Sequence, residues 1–354
     1  MQKKILVTGS SGLIGSEVCV FFAAHGYAVH GVDNNQRAGF FGLRGDTRWN
    51  QKRLEQNLRG FTHHERDIRD REGILRLIRE VRPDVIVHTA AIPFDDFDTN
   101  AVGSLNLPEY CRRARAGFIL LSTSRVYHIT ALAEMPVEAV SGAFQPTAFP
   151  AGVSAEGVSE SYSTAAPVSL YGASKVASEV LALEYGATYN LPVWINRCGV
   201  LAGAGQFGRP DQGIFSYWLH SWKQQRPLKY IGFDGQGHQV RDCLHPDDLA
   251  NLLLRQLRET GDSTKPRIVN VSGGRAGSRS LRQVSDWCRE RWGGQRVSSE
   301  PEPRRFDIPW MVLDSRLAQK TWGWTPTRSS ESIFEEIARH AEADPAWLDT
   351  SAPL

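Results

Sequence analysis

Short apolar runs alternating with amphipathic stretches organise the first half of the chain. Ile5-Leu6-Val7-Thr8 is continuous and meets glycines at once, the pattern of a strand buried on both faces. Leu13 to His25 reads as a helix, with Gly26 placed to end it. Ala28 to Val32 gives a second strand, and a third precedes Arg66. Glu72 to Val81 is helical and closes before Pro83, while Asp84 to His88 and Phe118 to Ser122 are strands. A helix follows from about Tyr171 to Tyr185, and Val193 to Asn196 supplies a strand at the end of the sheet. Strands separated by helices predict an α/β fold with a parallel sheet covered on both faces.

From Tyr127 to Pro167 the pattern weakens, and Ala, Ser, Pro, Gly and Glu dominate. A stretch of this length without periodicity suggests a lid, a binding segment or disorder. After Gly203, glycines, aromatics and basic residues mix with short elements. The expected division is a dinucleotide-binding domain over 1–200, with a variable segment at 128–166, and a smaller C-terminal α/β subdomain over 201–343. The latter interleaves with the last sheet strands, and 344–354 forms a loose tail.

Composition narrows the class. The chain has 354 residues, with 41 Lys plus Arg against 39 Asp plus Glu and a net charge of +2, so neither nucleic acid nor an anionic membrane is expected as partner. The five cysteines, Cys19, Cys111, Cys198, Cys243 and Cys288, are widely spaced without a CxxC pair. They argue against disulfides or zinc and suit a reducing cytoplasm. No apolar run approaches the roughly 18 residues a membrane span needs. His63-His64 reads as a polar strand end, since no metal-ligand partners are spaced around it.

The first chemical signal is Gly9, Gly12 and Gly15 between a strand and a helix. Glycines allow the tight turn and a close approach to a pyrophosphate, and the helix N-terminus offers free N–H donors. A glycine-rich turn alone has an ordinary reading. Asp33, at the end of the second strand, changes the odds, because a carboxylate there can accept from a ribose diol and would repel a 2′-phosphate. NAD is therefore expected over NADP, although Arg37 nearby could accommodate a phosphate. Asp67, before Ile68, could bind the adenine amino group or could serve as a turn carboxylate.

The second signal is Tyr171-Gly172-Ala173-Ser174-Lys175. Tyr171 and Lys175 fall on one helix face, and a nearby ammonium would lower the phenol pKa toward the working range of an acid/base. With the glycine loop and the intervening strands, the chain resembles the extended short-chain dehydrogenase/reductases, the NAD-dependent epimerase/dehydratase family, over residues 1–128 and about 167–325.

The resemblance implies a Rossmann-type doubly wound sheet, a sugar-nucleotide subdomain, bound NAD and a homodimer built on helices near Asp95–Arg115 and Tyr171–Tyr185. Pro108 should kink the first of these or cost about 3 kcal/mol. The implied cofactor contacts are Gly9, Ser11, Gly12, Leu13, Ile14, Asp33, Asn34, Asp67, Ile68, Ala90, Tyr171 and Lys175. Thr123 would complete a catalytic set with Tyr171 and Lys175, unless it merely caps its strand. Family dehydratases usually carry Asp-Glu after this threonine; Ser124 and Arg125 stand here, which favours hydride transfer out and back over loss of water.

On the substrate side the resemblance is strongest to members acting at C2 of a CDP-linked hexose. It implies substrate contacts from Thr123, Ser124, Gln206, Gln212, Tyr230, Arg241 and Arg304 to a CDP- or UDP-linked sugar. Arg241 could hold the diphosphate or pair with Asp242. Arg304, beside Arg305, could be solvated, and Tyr230 could be a strand aromatic. The expected function is an NAD-dependent nucleotide-sugar epimerase. A 4-epimerase, a keto-sugar reductase and a non-catalytic NAD sensor are the rivals.

Overall fold

The computed structural model describes residues 2–92, 96–259, 262, 264–302, 304 and 307–351. Its centre is a seven-stranded sheet of β1 (Lys4–Thr8), β2 (Ala28–Asp33), β3 (Phe61–Glu65), β4 (Val85–His88), β5 (Gly117–Thr123), β6 (Val193–Cys198) and β7 (Ile268–Val271). The strand order is β7-β6-β5-β4-β1-β2-β3, and every neighbouring pair is parallel. The order reverses between β1 and β4, so a crevice opens above their carboxyl ends. β6 is not the last strand, as its sequence suggests: β7, contributed from beyond residue 260, pairs outside it.

The two-residue period of a strand sorts the core into two layers. Ile5 and Val7 of β1, Ile119 and Leu121 of β5 and Trp194 of β6 enter one cluster. There they meet α1 (Leu13–Ala24) and a later helix, Pro246–Arg258. Leu6, Phe118, Leu120, Val193 and Ile195 enter the opposite cluster. This second layer holds α2 (Arg71–Val81), α3 (Ser104–Ala114) and α4 (Ser169–Tyr189). Asp70 caps α2 by accepting from Gly73 N, and Ile74, Leu77, Ile78 and Val81 form its buried stripe. Helix α3 runs through Pro108. The intrahelical bond that this proline forfeits is the first of the segment, to the Ser104 carbonyl, and a wider π-turn over Asp98–Gly103 leads into it. Asp95, where the sequence suggests this helix begins, lies outside the described residues.

Residues 128–166 are not a structureless loop. Two antiparallel hairpins form, Val137–Val140 with Ala143–Pro146 and Val153–Ser154 with Gly157–Val158. Their anchors are distant in sequence, which is why local periodicity misses them. Val158 and Leu313 are fully buried together, and Asp314 N donates to the Val158 carbonyl at 2.9 Å. Gly157 is obligatory there: its φ is +140°, and a Cβ would fall 2.5 Å from Asp314 N. Beyond residue 200 a third cluster gathers Trp218, Trp222, Tyr230, Val284 and Phe334.

The tail expected to be loose from Asp344 instead forms a short helix, Trp347–Ser351, with Trp347 and Leu348 buried. Trp347 stacks on Phe207 at 5.1 Å and donates to the Gln206 carbonyl at 2.8 Å. All five cysteines are buried and free. Among the described residues no helix is long and apolar enough to cross a membrane.

Candidate active site

Two clefts meet at the carboxyl ends of the strands. The first is floored by the glycine turn between β1 and α1. Gly9 has φ +69°, and a Cβ on it would come within 2.8 Å of the Ala90 backbone. A Cβ on Gly15 would fall 2.2 Å from the Gly9 carbonyl oxygen. The turn therefore closes only with glycine, and it leaves a cradle at the helix N-terminus.

Asp33 ends β2 at the rim of this cradle. Its carboxylate accepts from Ser11 N at 3.0 Å and Asn35 N at 2.8 Å. Burial pushes its pKa up, and these two N–H bonds oppose the rise. The same wall contains Ser11, Gly12, Leu13, Ile14, Asn34, Asp67, Ile68 and Ala90. The hydroxyl oxygens of Ser10 and Ser11 are buried without a protein partner. A cradle that a Cβ would fill, the orphaned Ser11 hydroxyl and a carboxylate at the rim together fit an adenine dinucleotide. Asp67 is drawn onto Arg69 at 2.6 Å, so its carboxylate is already shared. Arg37 is stacked between Phe41 and Phe207, 4.5 and 4.6 Å from the ring centres, and donates to Gln212. If Asp33 holds the ribose diol, Asp33→Ala should weaken NAD binding by about tenfold or more, given the usual worth of hydrogen bonds to a charged acceptor. Calorimetric titration of NAD checks it.

The catalytic candidates converge where β5 and β6 end. Thr123 and Cys198 are register partners on the last rung of these strands. Tyr171, in the first turn of α4, is near enough to Arg125 to feel its charge, and it lies near Cys198. Lys175, one helical turn on and 2% exposed, lies near Cys198 and Glu179. Thr123 Oγ1 accepts from Arg125 N at 3.2 Å, so the capping role exists, yet its own proton is left to donate.

Burial dominates the electrostatics of both Tyr171 and Lys175. Burial pushes Tyr171 up to about 12, and the charge opposing that rise is Arg125. Burial also pushes the Lys175 ammonium down to about 8 from its ordinary 10.5. Between those two values the unfolded chain binds more protons than the folded one, so stability should rise with pH there. Lys175→Met should abolish this rise while leaving the trend below pH 8 unchanged. Urea unfolding of cofactor-free protein across pH 7–11 measures the difference, and parallel curves would refute desolvation of the ammonium.

Behind this set lies a buried network that motif reading overlooks. Glu179, four residues after Lys175, accepts from Arg197 Nε and NH2, the latter at 2.6 Å, and from Ser122 Oγ at 2.5 Å. Arg197 also donates to Tyr127 Oη, which donates to Asn270 Oδ1 at 2.6 Å. The i, i+4 spacing from Lys175 to Glu179 was the available signal.

The second cleft lies toward the C-terminal elements and is lined by Arg125, Gln212, Trp218, Arg241 and Arg304 among others. Arg241 pairs with Asp307 at 3.0 Å, not with Asp242. Asp242 instead accepts from Val200 N and Leu313 N. Gln206 lines the first cleft, and Gln212 lines both. Tyr230 is a correction. It is buried, donates to Ser285 Oγ at 2.6 Å and stacks on Trp218, while its strand neighbours Lys229 and Ile231 line the cleft. Strand alternation turns it inward. Ser124 begins the single turn that carries Arg125, and Arg305 lies outside the described residues. Among the described residues no group of three or more His, Cys, Asp or Glu could hold a metal.

A doubly wound parallel sheet with a glycine cradle, a carboxylate at the end of its second strand and a Tyr/Lys pair near its carboxyl edge defines a Rossmann-type architecture. The chain belongs to the NAD dependent epimerase/dehydratase family, whose model matches residues 5–272, and its cofactor is NAD. It is 27% identical to a UDP-glucuronate 4-epimerase of Thermodesulfobacterium geofontis, over 92% of each chain. It is 26% identical to CDP-paratose 2-epimerase of Salmonella typhi, over 94% of this chain and 98% of that one. Among solved structures, the UDP-glucose 4-epimerase of Thermus thermophilus in complex with NAD superposes with a TM-score of 0.74. That pair is 25% identical over 96% of this chain and 99% of the other.

Proposed function

We propose that the protein is a nucleotide-sugar epimerase that oxidises one ring carbon and reduces it again from the opposite face, with no net redox change. NAD, when bound, would supply hydride acceptance and donation. Tyr171 takes the proton from the reacting hydroxyl and later returns it. Thr123 donates to that oxygen and orients it. Lys175 holds the nicotinamide ribose, and Asp33 holds the adenosine diol. Arg241, with Arg304 at the outer wall, takes the diphosphate.

The observation that carries this reading is the pairing of Tyr171 and Thr123 with Arg125, where elimination would call for carboxylates. Relatives acting at C2 of a CDP-sugar and at C4 of a UDP-sugar match about equally well. C2 of a CDP-hexose is the first reaction to assay, and C4 of a UDP-sugar is the second. A homodimer through α3 and α4 is supported by exposed Val102, Leu170, Val180 and Tyr189 on or beside those helices. Light scattering after gel filtration would test it.

The deciding experiment is mass-resolved chromatography of a CDP- and UDP-sugar panel incubated with the protein and NAD. A product of unchanged mass and altered retention is expected. Loss of water would make it a dehydratase, stoichiometric consumption of NADH on a keto-sugar a reductase, and NAD binding without turnover a sensor.

A further inference from the structure

The cofactor cleft is walled by distant parts of the chain. Asp33, Asp67 and Ala90 belong to the sheet side, and Gly205, Gln206 and Phe207 of the loop after β6 complete the lining. Residues 202–213 form no helix or strand, only a single bridge between Arg209 and Gln212. Closing this loop over the cleft has a cost. Arg37 and Arg209 stack on Phe41, 4.5 and 4.3 Å from its centre. Nε and Nη2 of Arg37, and Nε and Nη1 of Arg209, are buried with no acceptor among the described residues. Buried donors without acceptors favour an opening that hydrates them, so the closed wall needs a hold from elsewhere.

The C-terminal helix, Trp347–Ser351, supplies it. Trp347 stacks on Phe207, with 5.1 Å between ring centres and 12° between planes, and its Nε1–H donates to the Gln206 carbonyl at 2.8 Å. The Arg37 guanidinium lies over the same Phe207 ring at 4.6 Å. A guanidinium and an indole cannot share one face, so the ring is gripped from both sides. On the sheet side Trp347 meets Trp49 edge to face at 5.2 Å. Trp49 belongs to the helix Arg48–Asn57 and itself lines the cleft. One buried side chain therefore touches both walls. Behind it, His340 packs on the indole at 4.8 Å, and Arg226 pairs with Asp349 at 2.8 Å.

We propose that Trp347 is the clasp of the cofactor cleft: it ties the loop after β6 to the sheet-side wall and sets how fast NAD enters and leaves. It is a positioning residue, because it acts through Phe207, Gln206 and Trp49. This role presumes NAD in the cleft and goes beyond the epimerase reading, which needs a cofactor kept from oxidation to re-reduction but names nothing that keeps it. A cleft that must open slows entry and exit alike, whereas loss of a ligand contact speeds exit alone.

Stopped-flow fluorescence of NADH would give its association rate with cofactor-free protein, and a chase with excess NAD its release rate, in the wild type, Trp347→Ala and Trp347→Phe. Trp347→Ala should raise both rates by about tenfold or more, the usual worth of an aromatic stack and a hydrogen bond lost together. Trp347→Phe keeps a ring on Phe207 but no donor for Gln206, and should raise both by less. UDP affinity of the NAD-loaded protein, read by calorimetry, should not change, because Phe207, Gln206 and Trp49 do not line the second cleft. Wild-type rates in folded Trp347→Ala overturn the proposal. Faster release with unchanged association overturns it too, since Trp347 would then only shape a contact to the ligand. Slower association together with weaker UDP binding would show general damage in place of a clasp. If Trp347→Ala does not fold, the same two rates in Trp347→Phe decide. Neither rate involves a sugar nucleotide, so a failed epimerase reading would leave the clasp standing, and epimerisation with unchanged NADH rates would remove the clasp alone.

Discussion

Tyr171→Phe should lower kcat by about 10²–10⁴-fold, the range removed when a positioned acid/base is lost. The substitution deletes one oxygen and keeps the ring, so the fold and the affinity for NAD should hold. Burial pushes the phenol up to about 12, and the charge of Arg125 opposes the rise. The pH profile of kcat should accordingly lose its phenol-linked limb in the variant. Turnover within a few-fold of wild type, with NAD still bound, would remove Tyr171 from the chemistry.

Glu179→Gln should be the most damaging single change to stability. Glu179 and Arg197 are 2% and 5% exposed, and the carboxylate accepts three hydrogen bonds from the guanidinium and a further one from Ser122. Removing one charge of a buried pair strands the other, at a cost of about 3–5 kcal/mol. Urea unfolding, or the half-life at elevated temperature if unfolding is irreversible, reads the loss. Converting both residues to methionine should recover part of it, because no uncompensated charge then remains. A double variant as unstable as Glu179→Gln would show that shape rather than charge sets the effect. Since Glu179 lies one helical turn beyond Lys175, activity should fall in Glu179→Gln even where the fold survives.

The order of strands β1 to β6, the glycine turn, Asp33 and the Tyr171/Lys175 pair were legible because each is a local pattern. Burial on two faces dictates continuous apolar runs, a tight turn at a helix start dictates glycine, and a four-residue spacing places two side chains on one helix face. These follow from the backbone geometry of a few neighbouring residues, so the sequence by itself determined the fold class, the cofactor class and the central catalytic candidates.

What the tertiary structure decided was every feature whose partner is remote along the chain. Residues 128–166 are ordered by Val312, Leu313 and Asp314. The tail is held by Phe207 and Gln206. Tyr230 turns into the core because its strand packs against Trp218 and Ser285. Arg241 takes Asp307, 66 residues away, in place of its neighbour Asp242, because adjacent residues on a strand point to opposite faces. Local spacing carries no information about which distant group supplies a charge or completes a core, and in this protein those distant groups set the wall of the second cleft.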